Sequence, residues 1–351
     1  MEEATAIVID QGSLLTKVGF SGPEIPESSF YTSSLSKPGT DAIRHGIIQN
    51  WDDMHSIYHK IFTSEAKCDT SETTVILTSS SNAPQSQRVK LTEIFFEKYT
   101  VPTFAIENSC LLDLFGSDKT TGLFVEIGDG VTDIAPFYEG FGIETGNVFS
   151  KLAGNSVTKY LQKLIYKSHG VFINDFNLLR DIKHKYCNAL SDSAIQPQEI
   201  TFNDQKITLQ NELHKATNVL FHPHAYGAEA KGIPEMIRDS IMHVDPGIRG
   251  LLLKSIYLGG GCSLLKGFKE RLTEELKQYF PNIEFELHYR MYENEETQEQ
   301  QIIENTAWCG GSIYSYLDFF EKNAISRNEY AELGAERSYV KHHPQFSLSR
   351  K

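Results

Sequence analysis

The chain has 351 residues, 40% of them apolar, and 33 Lys and Arg against 46 Asp and Glu give a net charge of −13. That share of apolar residues is ample for a core and excludes a disordered chain, and the length suits one large bilobal unit or two domains. The acidic balance argues against sequence-independent binding of nucleic acid, which needs a basic footprint. The cysteines (Cys68, Cys110, Cys187, Cys262, Cys309) are scattered without paired spacing and read as reduced thiols, not a disulfide frame or a zinc site. No secretory signal precedes the first strand and no apolar run is long enough for a membrane span, so the expectation is a soluble intracellular protein.

In chain order, Ala6 to Phe20 (AIVIDQGSLLTKVGF) reads as a strand ending in an acid, a Gly turn and a return strand. Residues 23–44, rich in Ser and Pro, read as loop. Asn50 or Asp52 caps a helix with Met54, Ile57, Tyr58 and Ile61 on one face. Thr73–Leu77 is a strand, Ser86–Tyr99 a helix, Val101–Ile106 a strand and Cys110–Phe115 a short helix. Leu123–Tyr138 (LFVEIGDGVTDIAPFY) is a second acid-tipped hairpin. Helices over Val157–Ile165 and Asp175–Leu190, strands over Glu199–Leu209 and a helix over Pro234–Val244 follow. Ser255–Gly261 is a strand running into glycines, with a helix over Leu264–Phe280 and a strand over Glu284–His288. Tyr292–Gln301 reads as an acidic surface loop, Asn305–Phe320 as an apolar helix and Val340–Lys351 as a poorly ordered tail. Alternating strands and helices imply an α/β fold with helices on a mixed sheet.

The two hairpins share one pattern. Asp10, Gly12 and Thr16 stand at the same spacing as Glu126, Gly128 and Thr132. Glycines in such turns let backbone N–H groups approach an anion, and a carboxylate at the strand end meets the cation that the anion brings. Two copies suggest two facing halves with a ligand clamped between them. Singly, each turn is equally well a plain hairpin.

Further segments carry a family resemblance. IVIDQGS with KVGFSG, HGIIQNWDDM, KTTG, GDGVT, PFYEG, LAG, RDIKHKYC, GGGCSLLKGF and WCGGSI resemble actin segments and occur in the actin order, from about Ala6 to Tyr330. The resemblance implies an actin-like α/β fold of two duplicated halves with a central nucleotide cleft. The first half would span 1–122 with a reduced small subdomain, the second 123–310, and 311–351 would return to the first half and end in a tail. It implies ATP or ADP with Mg²⁺ as cofactor. Nucleotide contacts carry over to Asp10, Gln11, Gly12, Ser13, Leu14 and Lys17 in one turn and to Gly128, Asp129, Gly130 and Val131 in the other. Gly154, Arg180, Lys183, His184, Gly260, Gly261 and Leu264 would form the adenosine side. Asp10, Glu126 and Asp129 would surround Mg²⁺, mostly through water. Asp10 and Glu126 are also the weak candidates for a catalytic role. The ordinary alternatives are a surface Lys17, a solvated face at Arg180 and Lys183, and a strand-to-helix turn at Gly260 and Gly261.

The departures from the family pattern bear on function. Leu14 replaces a second glycine of the phosphate loop, and Glu126 replaces an aspartate. Glu107–Asn108–Ser109 lacks the glutamine that orients the attacking water. Asp133 replaces a histidine near that water, His184 replaces a ribose-binding glutamate, and Glu304 and Asn305 stand near the positions that flank adenine. Phosphoryl transfer depends on positioning and charge stabilisation, so hydrolysis is expected to be very slow or absent. Between Pro38 and His45 the long family stretch that builds a small subdomain and its docking loop is missing, so ordinary filaments are not expected.

These features imply a divergent actin-like structural or filament-capping subunit in the cytoplasm and cytoskeleton. Its partners would be actin, actin-related proteins or cytoskeletal complex subunits, with no direct nucleic acid and no membrane insertion. The alternatives are a nuclear actin-related subunit of a chromatin-remodelling complex and a polymerising actin ATPase. A small-molecule kinase sharing the twin hairpins is disfavoured by HGIIQNWDDM and WCGGSI.

Overall fold

The structure, a computed structural model, describes residues 6–37, 40–190, 196–289 and 304–343. The chain divides into two compact units, residues 1–120 with 290–351 and residues 121–289.

In the first unit, β1 (Ala6–Gln11) and β2 (Leu15–Phe20) form the expected antiparallel hairpin, with Asp10 opposite Lys17. Residues 23–44 are not all loop. β3 (Ser28–Tyr31) pairs with β2, and a short hairpin of β4 (Ile43–Arg44) and β5 (Ile47–Ile48) follows. β6 (Thr74–Ser79) and β7 (Thr103–Asn108) lie parallel beyond β1, and the two-residue strand Ile325–Ser326 closes that edge. The alternation of β1 builds two cores. Ile7 and Ile9 face Met54, Ile57 and Tyr58 of α1 (Trp51–Lys60), and Ala6 and Val8 join the cluster of Leu112 and Trp308. Each such fully buried large apolar side chain contributes about 1.5–3 kcal/mol.

Asn50, not Asp52, caps α1. Its side-chain oxygen accepts from the Asp52 and Asp53 N–H groups. α2 (Gln85–Glu93) continues into a wider turn over Ile94–Lys98, and α3 (Ser109–Gly116) is capped by Asn108. The helix Thr306–Tyr314 belongs here, not to the second half. Among the described residues the chain is back in the first unit by Thr306, before 311, because Trp308 Nε1 donates to the Val8 carbonyl at 3.0 Å and the helix packs on α3. A Cβ at Gly310 would lie 1.7 Å from the Leu112 carbonyl oxygen, so only glycine admits that packing distance.

In the second unit, β8 (Gly122–Ile127) and β9 (Thr132–Tyr138) form the other hairpin. β10 (Phe141–Gly142) and β11 (Val148–Ser150) pair with β9. α4 (Gly154–His169) and α5 (Phe176–Tyr186) pack over this sheet, and β12 (Gln198–Phe202) pairs only with β13 (Gln205–Leu209). β14 (Ile256–Gly259) and β15 (Leu287–Tyr289) continue parallel from β8. The two sheets therefore share one plan. Each has an antiparallel hairpin, a third strand antiparallel to the hairpin's second strand, and two strands parallel to its first. The matching turns of the sequence are the visible trace of that duplication.

Several boundaries differ from the sequence reading. α5 ends at Tyr186, with Asp175 as its cap, because Cys187 leaves helical geometry. The helix expected from Leu264 starts at Phe268, after a tight turn over Gly261–Leu264. Val340–His342 is helical, the end of the second of two helices that Gly334 (φ +74°, ψ 172°) separates within Arg327–His342, and this second helix buries Tyr339. Tyr292–Gln301 and the last residues of the tail lie outside the described residues. None of the five cysteines forms a disulfide. No described helix is long and apolar enough to cross a membrane.

Candidate functional site

The first turn is held from below by its own unit. The Gly12 N–H donates to the Leu15 carbonyl at 2.9 Å, and Thr32 Oγ1 donates to the Gly12 carbonyl at 2.8 Å. The Thr32 N–H donates to the Leu14 carbonyl at 2.9 Å. Gln11 is turned inward: Tyr58 donates to its Oε1 at 2.6 Å, and its Nε2 donates to the Thr78 carbonyl at 3.2 Å. Asp10 accepts from Thr78 Oγ1 at 2.7 Å and lies 3.3 Å from Lys17 Nζ, which also donates to the Glu304 carbonyl. Ser13 Oγ accepts from the Gly46 N–H at 3.2 Å. The N–H groups of Ser13 and Leu14 have no acceptor among the described residues. Two adjacent N–H groups over a fixed turn, with an ammonium beside them, can hold an anion.

The second turn repeats this geometry. The Gly128 N–H donates to the Val131 carbonyl at 2.9 Å, and Thr132 Oγ1, the counterpart of Thr16, donates to the Leu152 carbonyl at 2.7 Å. The start of α4 is laced to the turn: the Gly154 N–H donates to the Gly128 carbonyl at 3.0 Å and the Asn155 N–H to the Asp129 carbonyl at 2.8 Å. A Cβ at Gly154 would stand 3.1 Å from both the Gly128 oxygen and Lys183 Nζ. Gly130 is buried beside Asp129.

Arg180, Lys183 and His184 share α5 but not one environment. Lys183 is buried and turned inward, with Nζ 3.3 Å from the Gly154 carbonyl and 3.7 Å from Asp129 Oδ1. Arg180 reaches back to Asn177 Oδ1 at 3.0 Å and leaves its Nε buried without a partner. His184 keeps open surface, yet desolvation of its ring and then the Lys183 ammonium push its pKa down to about 4. Gly260 has φ +76°, and a Cβ there would lie 2.5 Å from the Ile127 carbonyl oxygen. Its first structural use is thus the close approach of β14's end to β8, while Gly261 faces open space and Leu264 is half-buried.

The candidate Mg²⁺ carboxylates are Asp10 in the first unit and Glu126 and Asp129 in the second. Asp129 Oδ1 is sealed from solvent and accepts no hydrogen bond. A buried carboxylate oxygen left without a donor fits a role toward a hydrated cation. Asp10 and Asp129 each already face a lysine, which favours contact through water over direct ligation.

A sequence model of the actin family matches residues 38–194 and 173–343. The chain belongs to the actin family. It is 30% identical to "Putative actin-29" of Dictyostelium discoideum over 377 aligned positions, covering 95% of each chain. The alignment exceeds this chain's 351 residues by 26, so at least that many positions of the actin-family relative face gaps here.

The departures from the actin pattern now have surroundings. Glu107 is buried and accepts from Tyr314 at 2.7 Å, so it faces the packing of its own unit. Asp133 is buried in β9. Glu304 serves Lys17 through its backbone, and burial raises the pKa of its side chain. Thr32 and Thr78, which hold the first turn, carried no signal in the sequence, because neither lies near the turn along the chain.

Proposed function

We propose that this actin-family chain is a nucleotide-binding structural subunit of the cytoskeleton, with weak or absent ATP hydrolysis, that joins or caps filaments of actin or actin-related proteins without forming ordinary ones. The observation that carries this reading is the short connection before α1. Between Leu35 and Trp51 the described residues hold only the small β4–β5 hairpin, two residues per strand. The family stretch that docks into the next subunit has no room there. Nucleotide binding is supported by the matching turns, of which the first leaves the Ser13 and Leu14 N–H groups open to an anion, and by Asp129 Oδ1, which accepts no hydrogen bond and faces only the Lys183 ammonium at 3.7 Å. Taken each by itself, the Gly12 turn of the first unit and the Gly128 turn of the second would offer backbone N–H groups to phosphate of ATP or ADP, and Asp10, Glu126 and Asp129 would offer carboxylates to hydrated Mg²⁺. Leu14 crowds the first turn and the water-orienting glutamine is missing, which supports slow turnover.

Sedimentation of the purified chain with Mg²⁺-ATP tests the reading. The protein is expected to stay in the supernatant alone and to lower the pelletable fraction of co-assembled actin. Pelleting by itself, as actin does, would overturn it. The nucleotide released on denaturation, measured as an ATP/ADP ratio over time, reports binding and turnover separately.

A further inference from the structure

On the first unit, α1, the wider turn that follows it (Ile61–Glu65) and Lys98 line an open groove of about 510 Å³. Its ionisable lining is entirely basic: His55, His59, Lys60 and Lys98, with no carboxylate. In a chain of net charge −13, the charged members of this lining are Lys60 and Lys98. Lys60 is already fixed, paired with Glu65 at 3.2 Å and standing 3.7 Å over the Phe30 ring. Lys98 and His59 are exposed, and neither makes an ion pair among the described residues. His55 Nδ1 is buried without a hydrogen-bond partner, and Asp52 is the acid that acts on this ring. Leu35, 39% exposed, supplies an apolar rim.

One ammonium without an ion pair (Lys98), two imidazole rings, one with an unpartnered nitrogen, and an apolar edge are complementary to a carboxylate-rich chain that carries one apolar side chain. We propose that this groove docks an acidic segment of a partner protein. The chain's overall negative charge repels such a partner elsewhere, so the groove sets where it lands as well as how tightly it is held.

The test is fluorescence anisotropy of the full chain with a labelled peptide of one leucine followed by alternating glutamate and aspartate, at low salt. A matched glutamine and asparagine peptide is the comparison. The acidic peptide is expected to bind and the neutral one not. The double variant His59→Glu, Lys98→Glu is expected to weaken binding at least tenfold with an unchanged melting temperature, because both side chains are exposed. Lys119→Glu, an exposed charge reversal elsewhere, is expected to leave binding intact. Unchanged binding in the double variant, an equal loss in Lys119→Glu, or no binding at millimolar peptide would overturn the proposal. So would full competition by inorganic phosphate at the peptide's own concentration range, which would assign a small-anion site. Concentration-dependent self-association that the double variant abolishes would assign the groove to a second copy and overturn the partner reading.

Discussion

Lys183 Nζ lies 3.7 Å from Asp129 Oδ1, with the lysine side chain 2% exposed and the aspartate 12%. This contact joins the middle of α5 to the Gly128 turn, and the same ammonium reaches the first carbonyl of α4. One buried cation therefore fixes three elements of the second unit.

Lys183→Met removes the ammonium and leaves Asp129 buried without a counter-charge. Breaking a buried pair from one side costs about 3–5 kcal/mol. The variant is expected to melt well below the parent chain and to lose bound nucleotide. A melting temperature within a degree of the parent would show that the pair holds nothing.

His184 yields a pH dependence. Its folded pKa, about 4, lies below the ordinary 6.5 because of desolvation of the ring and then Lys183. The unfolded chain therefore takes up the extra proton first. This contribution to stability is complete above about 6.5 and is lost as the pH falls toward 4. Melting temperatures of His184→Gln are expected to fall less steeply over that window than those of the parent. Parallel curves would contradict the depressed pKa.

Two glycines, one in each unit, separate packing from open space. Gly310→Ala places a methyl group 1.7 Å from the Leu112 carbonyl, against backbone that cannot yield. The expected loss is at least about 3 kcal/mol, at the upper end of overpacking. Gly261→Ala meets nothing within 4 Å and is expected to be nearly neutral in stability. Denaturant midpoints of both variants check the contrast.

Leu14→Gly restores the family's residue in the first turn. Added chain entropy is expected to lower stability by about 0.5–1 kcal/mol. The released backbone is expected to raise the amount of nucleotide carried through gel filtration several-fold. Equal nucleotide content in both proteins would show that Leu14 does not limit binding.

Legibility followed chain distance. Both hairpins and the Asn50 cap are local, and a few adjacent residues specify them. β3 escaped notice because Ser28–Tyr31 is short and polar; it is a strand because it pairs with β2 and delivers Thr32 to the Gly12 turn. The spacing of Arg180, Lys183 and His184 placed them on one helix, but spacing does not say which way the helix is rolled. Packing rolled it so that Lys183 points inward. The GG of WCGGSI was noticed as a motif, whereas its reason, the close crossing of two helices far apart in the chain, exists only once they meet.

The sequence alone determined the family, the α/β class and the doubled acid-and-glycine turns, because each is written in contiguous residues. Only the tertiary structure decided what those residues spend themselves on. Gln11 goes to Tyr58, Glu107 to Tyr314 and Lys17 to the carbonyl of Glu304. A buried polar atom takes whichever partner folding brings within reach, and no spacing along the chain records that distance.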